Sequence, residues 1–177
     1  MMLLRHLLSV AALPFMVTIV IPVWLARRNA VTVGVAGSVP PMLLQVVGVG
    51  VLGIGLALFA SSLRRFATEG EGTLAPWDPP RRLVVRGPYR YVRNPMISGV
   101  LLILFAEAML LLSRAHLMWA LTFLAMNALW IPLFEEPQLA GRFGEDYEEY
   151  RRNVPRLVPR LRPWEARPHA LGQNKEP

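Results

Sequence analysis

MISGVLLILFAEAMLLLS (Met96–Ser113), then Arg114-Ala115-His116, then LMWALTFLAMNALWIPLF (Leu117–Phe134) and Glu135-Glu136 form the stretch on which the fold turns. The first block carries one charge, Glu107, and the second carries none. At about 1.5 Å rise per residue, each block reaches across a hydrocarbon layer roughly 30 Å thick. The link between them is so short that it predicts a tight antiparallel hairpin. Two more uncharged blocks precede it, Leu7 to Leu25 and Met42 to Leu63. A soluble fold of 177 residues cannot cover four helices that are apolar all round. The first block exceeds the apolar stretch of a typical signal peptide. Arg27 and Arg28 follow it with no clean small-residue cleavage site, so it reads as a span.

Composition agrees. Hydrophobic residues make up 54% and charged residues 18%, below the roughly 25% of a soluble domain. That much apolar surface excludes intrinsic disorder. With no cysteine, a disulfide scaffold, thiol catalysis and cysteine metal sites are excluded too. The net charge of +7 raises nucleic acid or an anionic membrane surface as partner. The positions of the basic residues decide for the membrane, and no nucleic-acid partner is expected. Fifteen fall between blocks two and three or after block four, against Arg27, Arg28 and Arg114 on the other side, with Arg5 at the amino end. The positive-inside rule then sets both termini and the 64–95 loop in the cytoplasm, as in a bacterial inner membrane.

The expected fold class is all-α: an integral membrane bundle of four transmembrane helices in one domain, 1–177. It comprises a cytoplasmic loop (64–95), a transmembrane hairpin (96–134) and a cytoplasmic C-terminal segment (135–163) with an amphipathic helix. Gly70, Gly72, Pro76, Pro79 and Pro80 break any helix in the loop. Trp77, Tyr89 and Tyr91 suit an interfacial aromatic belt. Leu139, Phe143, Tyr147 and Tyr150 recur at helical spacing, and Asn153 and Pro155 end that helix. Gly48, Gly50, Gly53 and Gly55 suit close helix packing. Glu107, deep in its block, reads as a protonated structural acid with Asn127 as its partner.

His6, His116 and His169 share no ligand spacing, so no metal is expected, and no Ser/His/Asp triad is available. Chemistry concentrates at the base of the hairpin. Arg93-Asn94-Pro95 opens one helix and Glu135-Glu136 closes the other at the same level. Two carboxylates at a helix C-terminus oppose its dipole, so something cationic should compensate. An ion pair with Arg93 or a neighbouring arginine is one answer, and a ligand bearing hydroxyls and a positive charge is the other.

Gly87-Pro88-Tyr89-Arg90-Tyr91-Val92-Arg93-Asn94-Pro95-Met96-Ile97-Ser98-Gly99, the pair Glu135-Glu136-Pro137-Gln138-Leu139, Phe143-Gly144-x-x-Tyr147-x-x-Tyr150 and Val154-Pro155-Arg156 together resemble the membrane methyltransferases. That superfamily holds the isoprenylcysteine carboxyl methyltransferases and the phospholipid N-methyltransferases. The resemblance covers about residues 70 to 163. It implies S-adenosylmethionine as methyl donor at the cytoplasmic face, and a lipophilic acceptor entering from the bilayer. The cofactor residues it implies are Tyr89, Arg93, Asn94, Pro95, Met96, Ile97, Gly99, Glu135, Glu136 and Tyr147, with no catalytic base assigned. Three positions depart from the pattern. Asn94 replaces a histidine and Ile97 a tyrosine. Ile131 stands where the prenylcysteine branch carries an arginine, which disfavours a prenylcysteine acceptor against a lipid amine or other lipophilic nucleophile. Arg90, Arg142 and Arg151 are alternative clamps for such a carboxylate. A non-catalytic scaffold is the rival reading, with Asn94 and Ile97 as its marks. An ion-site transporter is the weaker rival, because no repeat is evident.

Overall fold

The computed structural model describes residues 11–32, 34–69 and 83–165. A π-wound stretch, Ala11–Val20, leads into α1 (Ile21–Arg28). Then come α2 (Val39–Glu69), a 3-10 turn (Gly87–Arg90), α3 (Pro95–Leu110), α4 (Arg114–Trp130), a π turn (Ile131–Glu135) and α5 (Glu136–Asn153). No strand occurs among the described residues.

The hairpin forms as its sequence dictates. Pro95 occupies the first turn of α3, where a missing N–H costs nothing. The chain reverses through Leu112 at φ +48°, and the Ser113 side chain accepts the His116 N–H to cap α4. His116 is buried, with Nε2 3.1 Å from the Pro22 carbonyl oxygen, and so ties the turn to α1. Helix α2 packs against α3 through glycines. A Cβ on Gly55 would meet Ile103 N at 3.0 Å, and one on Gly99 would meet Phe59 N at 2.9 Å. Gly48 is similarly close to Met109 and Leu110, whereas Gly50 and Gly53 have nothing within 4 Å. Only half of the expected glycine packing face is therefore used within the chain.

Two helical runs, Val39–Arg65 and Arg114–Asn153, are long and apolar enough to cross a membrane. Only 11% of the most apolar part of each is buried within the molecule, where a soluble core helix would be mostly buried. Pro95–Leu110 is a shorter apolar helix.

Two cores result. One lies between helices, with Val100, Leu104 and Ala120 against Val17, Phe59 and Phe123. The other caps the end of the hairpin, with Val85, Tyr147, Tyr150 and Val154 against Leu83, Phe143 and Trp164.

Several expectations need correction. Helix α2 runs past Leu63 to Glu69, so the loop begins later than 64. Its Gly70 to Pro80 breakers and Trp77 lie outside the described residues, as does the tail beyond Glu165. Tyr89 is buried beneath the cap rather than lying in an interfacial belt. Asn127 donates to the Phe123 carbonyl of its own helix at 2.8 Å, so Glu107 gains no partner from it. The helix does not close at Glu135-Glu136. Pro132 and Pro137 each withhold an N–H, and the ladder widens into the π turn, where the Glu136 N–H reaches Ile131 O. The winding then resumes through α5. The carboxylates therefore do not sit at a helix C-terminus, and their compensation has a different cause.

Candidate functional site

The hairpin base and the cap meet around Arg93. Its backbone N–H donates to Pro155 O at 2.8 Å, and that of Asn94 donates to Arg156 O at 3.1 Å. The Ser98 hydroxyl donates to Leu157 O at 2.8 Å. Further along, Arg160 N–H reaches Tyr91 O at 2.9 Å and Trp164 N–H reaches Arg90 O at 2.9 Å. The segment after α5 is thus a strap lying along residues 90–98. Recurring prolines keep it out of a helix and leave its carbonyls available.

The two glutamates part company here. Glu136 is buried and accepts from Arg156 Nε at 2.7 Å. Arg93 Nη1 lies 3.1 Å from the same oxygen, and Arg151 Nε lies 3.4 Å from the other. Burial works to raise the Glu136 pKa, but the Arg156 hydrogen bond and the charges of Arg93, Arg156 and Arg151 hold it below the usual carboxylate range. Glu135 is half-buried, and no described residue donates a hydrogen bond to it. It lies just past the apolar stretch that ends at Phe134. Burial first, then the Glu136 charge, push its pKa up against the pull of Arg93.

Arg93 is the hub. Its side chain is 8% exposed. Besides Glu136, its Nη1 donates to the Tyr147 hydroxyl at 3.3 Å, and its buried Nε has no hydrogen-bond partner. The Tyr150 hydroxyl donates to Tyr89 O at 2.7 Å, and burial keeps that phenol protonated.

The sequence-expected residues fall into three groups. Arg93, Glu135, Glu136 and Tyr147 converge. Tyr89, Asn94 and Pro95 frame them; Asn94 precedes α3 without a side-chain cap bond. Met96 and Ile97 stand in the first turn of α3, where their N–H groups have no partner among the described residues. Gly99 does not join the site, since its missing side chain makes room for α2. The Arg93 and Asn94 backbone N–H groups are taken by the strap. Arg151 and Arg156 were not foreseen as partners of Glu136. Only the quoted Val154-Pro155-Arg156 signalled that this stretch returns to the site. Arg90 and Arg151, candidate clamps for an acceptor, are engaged with Trp164 O and Glu165, and with Glu136 and Glu148.

The described residues thus form an apolar helical hairpin that ends in a buried arginine–carboxylate cluster. The profile of the phospholipid methyltransferase family matches residues 43–146, and the chain belongs to that family. Over 73 residues it is 41% identical to methanethiol S-methyltransferase 2 of Bradyrhizobium diazoefficiens, covering 41% of this chain and 27% of that protein. Over 71 residues it is 38% identical to methanethiol S-methyltransferase of Crocosphaera subtropica, covering 40% and 27%. The matched stretch thus spans about a quarter of either relative. No solved structure matches.

Proposed function

We propose that this chain transfers a methyl group from S-adenosylmethionine to a small lipophilic nucleophile at the cytoplasmic face of a bacterial inner membrane. The observation that carries this reading is the unequal glutamate pair. Glu136 forms ion pairs with three arginines, while Glu135 beside it is half-buried and accepts no hydrogen bond from the described residues. A half-buried carboxylate with no protein donor keeps its oxygens available to the hydroxyls or ammonium of a ligand.

The residues present fit the donor. Glu135 suits its ribose hydroxyls or ammonium. Arg93 Nε and the N–H groups of Met96 and Ile97, which have no partner among the described residues, suit its carboxylate, with the positive end of α3 behind them. When bound, it supplies a methyl group on a positively charged sulfur. Transfer from such a centre rests on positioning and field more than on proton removal. That agrees with the site, where Asn94 cannot act as a base. His116, the one histidine among the described residues, begins α4 roughly 28 Å along the helix from Glu135.

An acceptor that needs no base is favoured, and a thiol ionises readily enough to be one. The two relatives are named for a thiol, methanethiol. Ile131, buried at 1% exposure, offers no cation to a prenylcysteine carboxylate. Four crossings with both termini inside follow from the basic asymmetry.

The test is donor binding by calorimetry on detergent-purified protein, followed by labelled-methyl transfer to methanethiol, a long-chain amine and acetyl-farnesylcysteine at equal concentrations. Binding with faster labelling of thiol or amine supports the reading. Preferred labelling of the prenylcysteine overturns the acceptor class. Absence of donor binding overturns the enzyme in favour of a scaffold.

A further inference from the structure

Gly144 interrupts α5 at φ 54° and ψ −129°. Glycine enters that region freely, while L side chains are sterically excluded from it. Nothing lies within 4 Å of where its Cβ would stand, so the backbone, not packing, requires glycine there. Gly141, one turn earlier, also has open space around it but no such backbone conformation.

The bend's effect is visible on either side of it. Before it, Glu136 Oε1 lies 3.1 Å from Arg93 Nη1. After it, the Tyr147 hydroxyl lies 3.3 Å from the same nitrogen. In an unbroken α-helix, positions 136 and 147 would be roughly 16 Å apart along the axis. Both Cα–Cβ bonds would also tilt toward the N-terminus, so Glu136 would lean away from Tyr147. The bend lets one guanidinium hold both side chains. It also brings Tyr150 to Tyr89 O, with the Tyr150 ring 5.7 Å from that of Trp164.

We propose that Gly144 is a positioning residue for the donor site: its glycine-only bend folds the second half of α5 back so that Tyr147 and Glu136 together fix the Arg93 guanidinium beside Glu135. Gly144 touches no ligand and acts through Tyr147. The proposal rests on the donor reading given above.

The experiment measures S-adenosylmethionine affinity by calorimetry on full-length, detergent-purified protein carrying Gly144→Ala, Gly141→Ala, Tyr147→Phe, or Gly144→Ala with Tyr147→Phe. Gly144→Ala and Tyr147→Phe should each weaken binding by roughly tenfold, the loss of one charge-assisted contact. Gly141→Ala should leave it unchanged. The double variant should bind no more weakly than Gly144→Ala alone, because both changes remove the same contact. Wild-type affinity in Gly144→Ala, equal loss in Gly141→Ala, or additive losses in the double variant overturn the proposal while the wild type still binds. Tyr147→Phe keeps its ring and carries the test if Gly144→Ala unfolds; wild-type affinity there overturns the proposal as well. A wild-type protein that binds no donor overturns the donor reading, and this proposal with it.

Discussion

Glutamine at position 136 and glutamine at position 135 should shift stability in opposite directions. Glu136→Gln keeps the shape of the side chain and removes its charge. Arg93, 8% exposed and already lacking a partner at Nε, then faces a neutral amide oxygen in place of the carboxylate, beside the Tyr147 hydroxyl. Removing one member of a buried ion pair costs about 3–5 kcal/mol. Arg151 and Arg156 are 47% and 32% exposed and regain water, so the lower end applies. For a chain of this length, a loss of about 3 kcal/mol lowers the unfolding midpoint by roughly 6–12 °C. Because arginine contacts hold Glu136 below the ordinary carboxylate range despite burial, its contribution is present above that range and is lost as pH falls through its folded-state pKa. Wild type and Glu136→Gln should converge in acid. For Glu135 the sign reverses. Burial and then the Glu136 charge raise its pKa, so its ionised form weighs against folding as pH rises through that value. Glu135→Gln should therefore raise the unliganded midpoint at neutral pH. It should also cost the donor roughly 10- to 150-fold in affinity, the worth of a hydrogen bond to a charged group. Thermal unfolding in detergent, with and without S-adenosylmethionine and from neutral to acid pH, reads all of this. Equal destabilisation in the two variants would refute the reasoning, because Glu135 would then belong to the same structural network as Glu136.

Gly55→Ala and Gly99→Ala should each force α2 and α3 apart and lower the unfolding midpoint, whereas Gly50→Ala and Gly53→Ala, with nothing within 4 Å, should not. Tyr150→Phe leaves Tyr89 O without its 2.7 Å donor and should cost about 1–3 kcal/mol in denaturant unfolding, with its ring packing retained. A reporter active only outside the cytoplasm, fused at Pro177, should stay silent; a strong signal would reverse the proposed orientation.

The hairpin was legible because its information is local: two apolar blocks of membrane length with one charge between them, a very short link, and a proline where a helix opens. What sequence misjudged depended on distance or geometry. Glu135-Glu136-Pro137 looks like a helix end because charge and proline usually mark one. Here two prolines widen a turn and the helix continues. The carboxylates looked equivalent because they are neighbours in the chain. They differ because Arg151 and Arg156 return from further along and reach only one of them. Asn127 was paired with Glu107 on polarity alone, although a carbonyl one turn back on its own helix satisfies it. Gly144 was legible as part of a motif, but its dihedral angles were not.

The strap sets an order of assembly. Chains fold from the N-terminus as they are synthesised, so the apolar helices can insert and pair early. Arg93, Asn94 and Ser98 meanwhile wait without their carbonyl partners, and Arg93 without its carboxylate. Only when Pro155, Arg156 and Leu157 have left the ribosome can the arginine hub close. Pairing of the apolar helices and closure of the arginine hub are therefore separable steps, the second waiting on residues 155–157.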